Sequence, residues 1–128
     1  MPDLPWTARA EMEPGTDYLV MASYLPLRRI TGTVPFFRAV FAVRKQLATA
    51  DGLVGYTLRA EPLARGYWTL SIWESDTALR EFMRTPPHVR VMTSLKPLMR
   101  PTKFVTWTIP ASDGRPSLSD ALQRLASS

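Results

Sequence analysis

Residues 66–88, GYWTLSIWESDTALREFMRTPPH, decide the fold that the sequence predicts. Aromatic and β-branched residues dominate Tyr67–Trp73, which is typical of a β-strand. Ser75 then has the chemistry of a helix N-cap. The pair Pro86–Pro87 ends the helix and can begin another, because proline is tolerated in a first turn but not in a helix interior. The stretch therefore predicts a strand, a helix and a second helix that starts near His88, the only histidine of the chain.

The predicted strand has two unlike faces, because successive side chains point to opposite sides of a sheet. One face is wholly apolar and consists of Trp68, Leu70 and Ile72. The other is mixed and consists of Tyr67, Thr69, Ser71 and Trp73. We expect the helices to cover the apolar face, and we expect the mixed face to be wetter or to face another subunit.

Three further strands and one long helix surround this stretch. The strands are expected at Asp17–Leu25, Leu53–Ala60 and Lys103–Ile109, and Val54, Tyr56 and Leu58 are expected to share one apolar face. The helix is capped by Thr33, ends at Asp51-Gly52 and carries an apolar stripe of Phe36, Val40, Val43 and Leu47. The order of elements predicts an α+β, ferredoxin-like βαββαβ fold with an antiparallel four-stranded sheet.

The chain divides into three segments by composition. Residues 1–16, with three prolines, predict an N-terminal arm, and residues 17–109 form the ferredoxin-like domain. Residues 110–128 predict a turn-rich linker and a short amphipathic helix. A helix this short is marginal alone in water, so we expect it to dock, with a partner subunit as one place for it.

Composition excludes several classes of function. The chain has no cysteine, which excludes disulfides, thiolate catalysis and most zinc sites and fits a reducing cytoplasm. It contains no apolar run of the ~20 residues that a membrane span needs, and no signal peptide is visible. The net charge of +5 raises nucleic acid as a partner, but the basic residues are scattered instead of clustered. We therefore predict a cytoplasmic protein without nucleic-acid, membrane or metal binding, in which the positive field attracts anionic ligands.

The face opposite the helices predicts a homodimer. Its expected members are too apolar for open water and too polar for a monomer core: Tyr18, Tyr24, Thr57, Thr69, Ser71, Trp73, Phe104 and Thr106. Such a patch usually marks an interface. Packing it against the same face of a second copy gives a two-fold dimer with a closed barrel between the subunits.

The element order, the turn YWTLSIWES at residues 67–75 and the histidine on the next helix resemble the dimeric α/β-barrel superfamily. Within it, residues 17–109 are most similar to the antibiotic-biosynthesis-monooxygenase-like proteins. The resemblance implies a cleft between helices and sheet in which a base deprotonates a phenolic or enolic substrate, whose anion reacts directly with dioxygen. It implies His88 as that base, because its pKa lies near neutrality. The cleft walls that it implies are Tyr56, Trp68, Trp107, Phe41 and Phe82.

The predicted function is a small cofactor-independent, oxygenase-like enzyme, or a related cyclase or isomerase, that acts on an aromatic or hydrophobic metabolite. One alternative is a non-catalytic protein that binds a ligand or haem in the same cleft, with His88 as the axial ligand. Another is a dimeric interaction module whose cleft is filled by side chains. A lone histidine on an apolar stripe is also typical of a hydrogen-bonded core residue. Haem degradation is not expected, because the chain has no asparagine and carries Phe82 where that branch carries tryptophan.

Overall fold

The computed structural model describes residues 6–61, 64–86 and 88–127. Residues 1–5 of the predicted arm, Pro87 of the predicted helix break and the last residue of the predicted final helix lie outside this part of the chain. The described strands are β1 (Thr7–Ala8), β2 (Asp17–Pro26), β3 (Leu53–Glu61), β4 (Gly66–Trp73) and β5 (Lys103–Pro110). The described α-helices are α1 (Thr33–Leu47), α2 (Asp76–Arg84), α3 (His88–Leu95) and α4 (Leu118–Ser127).

The sheet is antiparallel with the strand order β1-β3-β4-β2-β5, which confirms the α+β, ferredoxin-like prediction. The prediction of four strands is wrong, because a fifth comes from the segment predicted as an arm. Thr7 lies opposite Tyr56 in β3, and the backbone N–H groups of Arg9 and Ala10 donate to Val54 O. The short strand β1 thus covers the edge of β3, which would otherwise present unpaired backbone groups.

The mixed face of the sheet, which the sequence predicted to be wetter or to face another subunit, is the face that three of the helices cover. Helices α1, α2 and α3 pack over the mixed face, where Tyr67 and Trp73 are buried against Phe36 and Leu79. The wholly apolar face packs instead against α4 and the N-terminal segment, through Ala121, Leu125, Trp6 and Met12. The face prediction is therefore wrong. The all-apolar face has its packing partner within the same chain, so both sides of the sheet are covered.

A β-bulge near the start of β3 explains a second difference. The register with β4 shifts between Leu53 and Gly55, so that one extra residue interrupts the alternation of side chains. Val54 therefore packs on the α4 side of the sheet, while Tyr56 and Leu58 pack on the α1–α3 side. The prediction that these three residues share one face is wrong for this reason.

The predicted dimer patch is not one surface. Tyr18 and Tyr24 pack on the α4 side of the sheet, whereas Trp73 is buried beneath the helices with 1% of its surface exposed. Phe104 alone among the patch's large residues stays strongly exposed, at 47%, on the edge strand β5. The predicted set mixed residues from both faces, so a dimer through a bare sheet face does not follow from it.

Helix α2 begins as the sequence predicts and carries Phe82 to the interior. The Ser75 hydroxyl accepts a hydrogen bond from Ala78 N at 3.1 Å, which caps the helix. Phe82 is buried, and its ring lies 5.2 Å from the ring of Trp73, centroid to centroid. Among the described residues, no helix has both the length and the apolar character that crossing a membrane requires.

Candidate active site

A cavity of ≈ 330 Å³ lies between the mixed face of the sheet and the helices α1, α2 and α3. Its wall is mostly aliphatic and aromatic, with Phe36, Val43 and Leu47 from α1 and Trp73 from β4 among the lining residues. Cavities of this size and character are typical of small-molecule sites, which occupy ~300–1,000 Å³ and have few polar groups. The cavity can therefore hold a hydrophobic or aromatic molecule.

His88 is the one titratable base near neutral pH in the cavity wall. It is the first residue of α3, is half-buried and packs on Phe82, with the ring centroids 5.1 Å apart. Its Nδ1 lies 3.2 Å from the backbone oxygen of Met83. A carbonyl only accepts hydrogen bonds, so Nδ1 carries the hydrogen and Nε2 of the neutral ring is left as the basic nitrogen. The contact with Met83 O thus makes Nε2 the ring atom that can act as a general base.

Burial lowers the pKa of His88, because the charged imidazolium loses hydration inside the wall. The hydrogen bond to the Met83 carbonyl opposes this effect and raises the pKa, but it is the smaller of the two causes. The net direction is downward from the ordinary value of 6.5. The imidazole is therefore neutral near pH 7 and ready to accept a proton.

This pKa shift predicts how stability depends on pH. Because the folded-state pKa lies below the unfolded value, the unfolded chain binds the proton first as the pH falls, and the free energy of unfolding decreases. The contribution of His88 to stability is fully present above pH ~6.5, and it is lost as the pH falls through that value toward the folded-state pKa. We expect wild-type protein to lose more stability than His88→Gln between about pH 7.5 and about pH 5.5 in urea unfolding. Equal losses in the two proteins would contradict the shift.

The sheet side of the cavity offers hydroxyl groups. The side chains of Ser23 and Thr69 hydrogen-bond to each other. Trp73 Nε1 donates to Ser71 Oγ at 2.9 Å. A hydroxyl that accepts one hydrogen bond still carries its own proton. Ser71 can therefore donate to an oxygen atom of a molecule bound in the cavity.

The structure brings together three of the six predicted site residues. Tyr56, Phe82 and His88 all line the cavity. Tyr56 reaches it because it lies opposite Ser71 of β4, whose side chain also lines the cavity. Their roles toward a ligand remain predictions, but their placement is compatible with those roles.

The other three predicted residues lie elsewhere, so the structure does not place them in the wall. Trp68 and Trp107 are on the opposite face of the sheet, where Trp68 stacks on Tyr24 and Trp107 lies under the Arg124 guanidinium. Phe41 is 61% exposed on the outer side of α1. The physical reason is the same for both tryptophans: α4, and not the cavity, covers their face.

Several wall residues were not singled out from the sequence as site residues. Thr69, Ser71 and Trp73 were assigned to an external face, but all three line the cavity. Arg44 was not singled out either, yet it lines the cavity from α1. It is the one permanent cation among the described lining residues, which include no acid.

No group of three or more histidine, cysteine, aspartate or glutamate residues that is suited to a metal ion occurs in the described part of the chain. His88 is the single candidate ligand in the cavity wall.

Comparison with known proteins supports the fold. A family model described as "Domain of unknown function (DUF3291)" matches residues 37–127. A search of curated proteins finds no match. Among solved structures, the cofactor-independent oxygenase SnoaB from Streptomyces nogalater is 18% identical, with a TM-score of 0.63 over 80% of this chain and 98% of that one. A dimeric ferredoxin-like protein of unknown function from Thermobifida fusca is 12% identical, with a TM-score of 0.64 over 79% and 99%.

A third solved structure is a candidate antibiotic biosynthesis monooxygenase from Nitrosomonas europaea. It is 13% identical, with a TM-score of 0.63 over 70% of this chain and 88% of that one. These similarities confirm the predicted resemblance to the antibiotic-biosynthesis-monooxygenase-like proteins. At such identities the similarity shows the fold, and the chemistry has to be inferred from the site.

Proposed function

Because the chain belongs to the DUF3291 family, which is described only as a domain of unknown function, we propose its function from the site: a cofactor-independent oxygenase of aromatic or hydrophobic compounds. The observation that carries this proposal is the position of His88, in the wall of an apolar cavity with Nδ1 bonded to a carbonyl. The fold shared with SnoaB, a cofactor-independent oxygenase, supports it.

The proposed reaction converts an activated CH₂ group of a polycyclic phenol tautomer to a carbonyl: R₂CH₂ + O₂ → R₂C=O + H₂O. His88 Nε2 takes the first proton, and the resulting electron-rich carbanion reduces dioxygen and forms a carbon–peroxide bond. The imidazolium returns its proton to the peroxide, and loss of the second C–H proton with cleavage of the O–O bond releases water. The two C–H bonds supply the four electrons that dioxygen accepts, so no external reductant is needed.

The remaining wall residues support this chemistry by excluding water and by orienting the ligand. The apolar wall disfavours the charged imidazolium, so the ring of His88 stays neutral and can accept a proton. Ser71 lines the cavity, and a hydrogen bond from its hydroxyl to a substrate oxygen stabilises the enolate that forms on deprotonation. Tyr56 and Phe82 offer ring faces for an aromatic substrate.

The direct test is oxygen uptake. Purified protein, freed of metals and cofactors, is mixed with a panel of polycyclic phenols and of ketones with an acidic CH₂ group. Uptake of one O₂ per carbonyl formed, with incorporation of one ¹⁸O atom from ¹⁸O₂, is the expected result. Binding of these compounds without any oxygen uptake would contradict the oxygenase and leave a ligand-binding protein.

The cavity's charge predicts which ligands bind best. Arg44 takes part in none of the ion pairs among the described residues, so its charge is available to an anion at the cavity. We expect Arg44→Gln to weaken binding of 3-hydroxy-2-naphthoate about fivefold, since an exposed charge pair is worth up to ~1 kcal/mol. Binding of 2-naphthol, which lacks the carboxylate, is expected to change less than about twofold.

Tryptophan fluorescence titration measures both affinities. The matched control is Arg38→Gln, on the same helix but outside the cavity wall. If Arg44→Gln and Arg38→Gln reduce naphthoate affinity equally, the general positive field is responsible and Arg44 has no specific role.

Haem binding is the second candidate, because Nε2 of His88 is also the atom that an iron would need, and one axial histidine suffices. When bound, haem would supply oxygen or electron chemistry of its own, and His88 would hold it. Absorption spectra with and without added haem distinguish the candidates. A Soret band that shifts on binding and disappears in His88→Gln supports the haem protein, and an unchanged spectrum supports the cofactor-free reaction.

We further propose that the protein acts as a cytoplasmic homodimer. The dimeric ferredoxin-like protein from Thermobifida fusca supports the oligomeric state by analogy of fold. The absence of cysteine supports a reducing compartment. Light scattering measures the molar mass of the protein as it elutes from a size-exclusion column. The mass of a single chain would contradict the dimer.

A further inference from the structure

The side chain of Gln46 joins three helices beside His88. It projects from the last turn of α1, and its Nε2 donates to Phe82 O at 3.0 Å and to Thr85 O at 3.1 Å. Its Oε1 accepts from the backbone N–H of His88 at 2.9 Å. One amide group thus connects α1 to the end of α2 and the beginning of α3.

Two of these three partners are groups that a helix leaves unsatisfied: the carbonyl of Thr85, just after the end of α2, and the first N–H group of α3, which has no intrahelical carbonyl. The third, Phe82 O, also accepts the backbone N–H of Thr85 at 3.2 Å, so Gln46 adds a second hydrogen bond to it. Gln46 therefore caps both ends at once. The partners also fix the orientation of its amide, because two carbonyls require the NH₂ side and an N–H requires the oxygen side.

The hydrogen bonds of Gln46 also help to fix the position of the His88 imidazole. Gln46 holds the backbone nitrogen of His88, and Met83 O holds the ring through Nδ1. Met83 is adjacent to Phe82, whose carbonyl Gln46 also binds. Met83 O, which holds the imidazole ring, therefore lies at the same α2 terminus to which Gln46 donates its hydrogen bonds.

We propose that Gln46 is the positioning residue of His88: it sets the place and the tautomer of the imidazole at the cavity. This inference rests on the proposed role of His88 as the base, but it concerns geometry and is testable without turnover. Gln46 lines no part of the cavity itself, so it acts through His88 and not on the substrate.

Few residues can replace this amide. Glutamate keeps the length and can accept from the His88 N–H, but ionised glutamate cannot donate to the two carbonyls. It also places a negative charge near the ring, which raises the pKa of His88. Leucine keeps much of the volume but makes none of the three hydrogen bonds. The two variants therefore separate loss of the donor from loss of the whole connection.

The test uses the single histidine of the chain, whose ring gives one set of imidazole signals in ¹H–¹³C and ¹H–¹⁵N NMR spectra of untagged protein. In Gln46→Glu and Gln46→Leu we expect the titration midpoint of His88 to rise and its ring ¹⁵N shifts to move toward a mixture of tautomers. We also expect at least tenfold faster exchange of the His88 amide hydrogen. The matched control is Gln123→Leu, at an exposed position of α4 outside the cavity, which is expected to change none of these.

Kinetics complete the test where turnover is found. We expect kcat to fall at least tenfold with KM changed less than threefold, and the pH–rate midpoint to follow the NMR midpoint upward. Unchanged His88 signals and exchange in both variants would overturn the proposal, as would a loss of kcat without any change in those signals. If the wild-type protein has no turnover but the NMR changes appear, the oxygenase is refuted while the positioning role stands. If Gln46→Leu does not fold, the ring signals and the exchange rate of the His88 amide hydrogen in Gln46→Glu decide whether the proposal holds.

Discussion

Replacing His88 with glutamine is expected to lower turnover by about 10²–10⁴-fold, the contribution that a positioned general base makes. The physical reason is that no other group of the described cavity wall accepts a proton near neutral pH. Glutamine keeps a polar side chain of similar reach, so the wall is preserved while the base is removed. The measurement is the initial rate of oxygen uptake at saturating substrate, with ligand affinity followed by fluorescence.

The matched control for this prediction is Val89→Gln. Val89 is the next residue of α3, is 42% exposed and lies outside the cavity wall. It is expected to retain wild-type turnover. Ligand affinity should change little in His88→Gln, because the base acts mainly in the transition state. Melting temperatures show whether either variant is misfolded. Full turnover by folded His88→Gln would refute the catalytic role.

Filling the cavity with Val43→Trp is expected to reduce ligand affinity by at least ~10²-fold, equivalent to ~2.7 kcal/mol. Val43 lines the cavity from α1, so the indole occupies space that a ligand would need. Enlarging a side chain in a packed core is destabilising, but here the added atoms enter existing space. The melting temperature should therefore stay close to the wild-type value while binding and turnover are lost.

The same substitution at Val34 is the control. Val34 lies on α1, is 64% exposed and is not part of the wall. Val34→Trp is expected to bind ligand and turn over like the wild-type protein. If Val43→Trp also keeps both properties, the cavity is not the site. That outcome would favour an interaction module, whose function does not depend on an open cavity.

The prediction of elements succeeded because local signals decide them. The cap at Ser75 and the alternation of side chains between the two faces of β4 depend on neighbours within a few residues, and the structure has both features. The end of α1 was predicted too late: the helix ends at Leu47 with Ala48 as its C-cap, and Gly52, with a positive φ of 79°, lies in the turn before β3. The helix-borne position of His88 followed from the same kind of signal.

The site was predicted only in part, because its walls depend on which layer covers which face. Alternation separates Trp68 from Trp73, but it does not say which of them faces the helices. From the sequence we expected the helices that wall the cavity to cover the all-apolar face, but in the structure α4 covers it. Trp68 and Trp107 were therefore placed in the cavity, and Trp73 was missed.

The sequence by itself determined the order and type of the four long strands and of the four α-helices, and the presence of one base at the start of α3. Only the tertiary structure decided that α4 covers the apolar face, that a bulge in β3 places Val54 on the α4 side, and that Gln46 bonds Phe82, Thr85 and His88. The physical reason is the distance along the chain over which each kind of interaction acts. Hydrogen bonding and side-chain periodicity act between near neighbours in the chain. By contrast, the choice of packing partner depends on the burial of surfaces that come from distant segments, and it is settled only when the whole chain is folded.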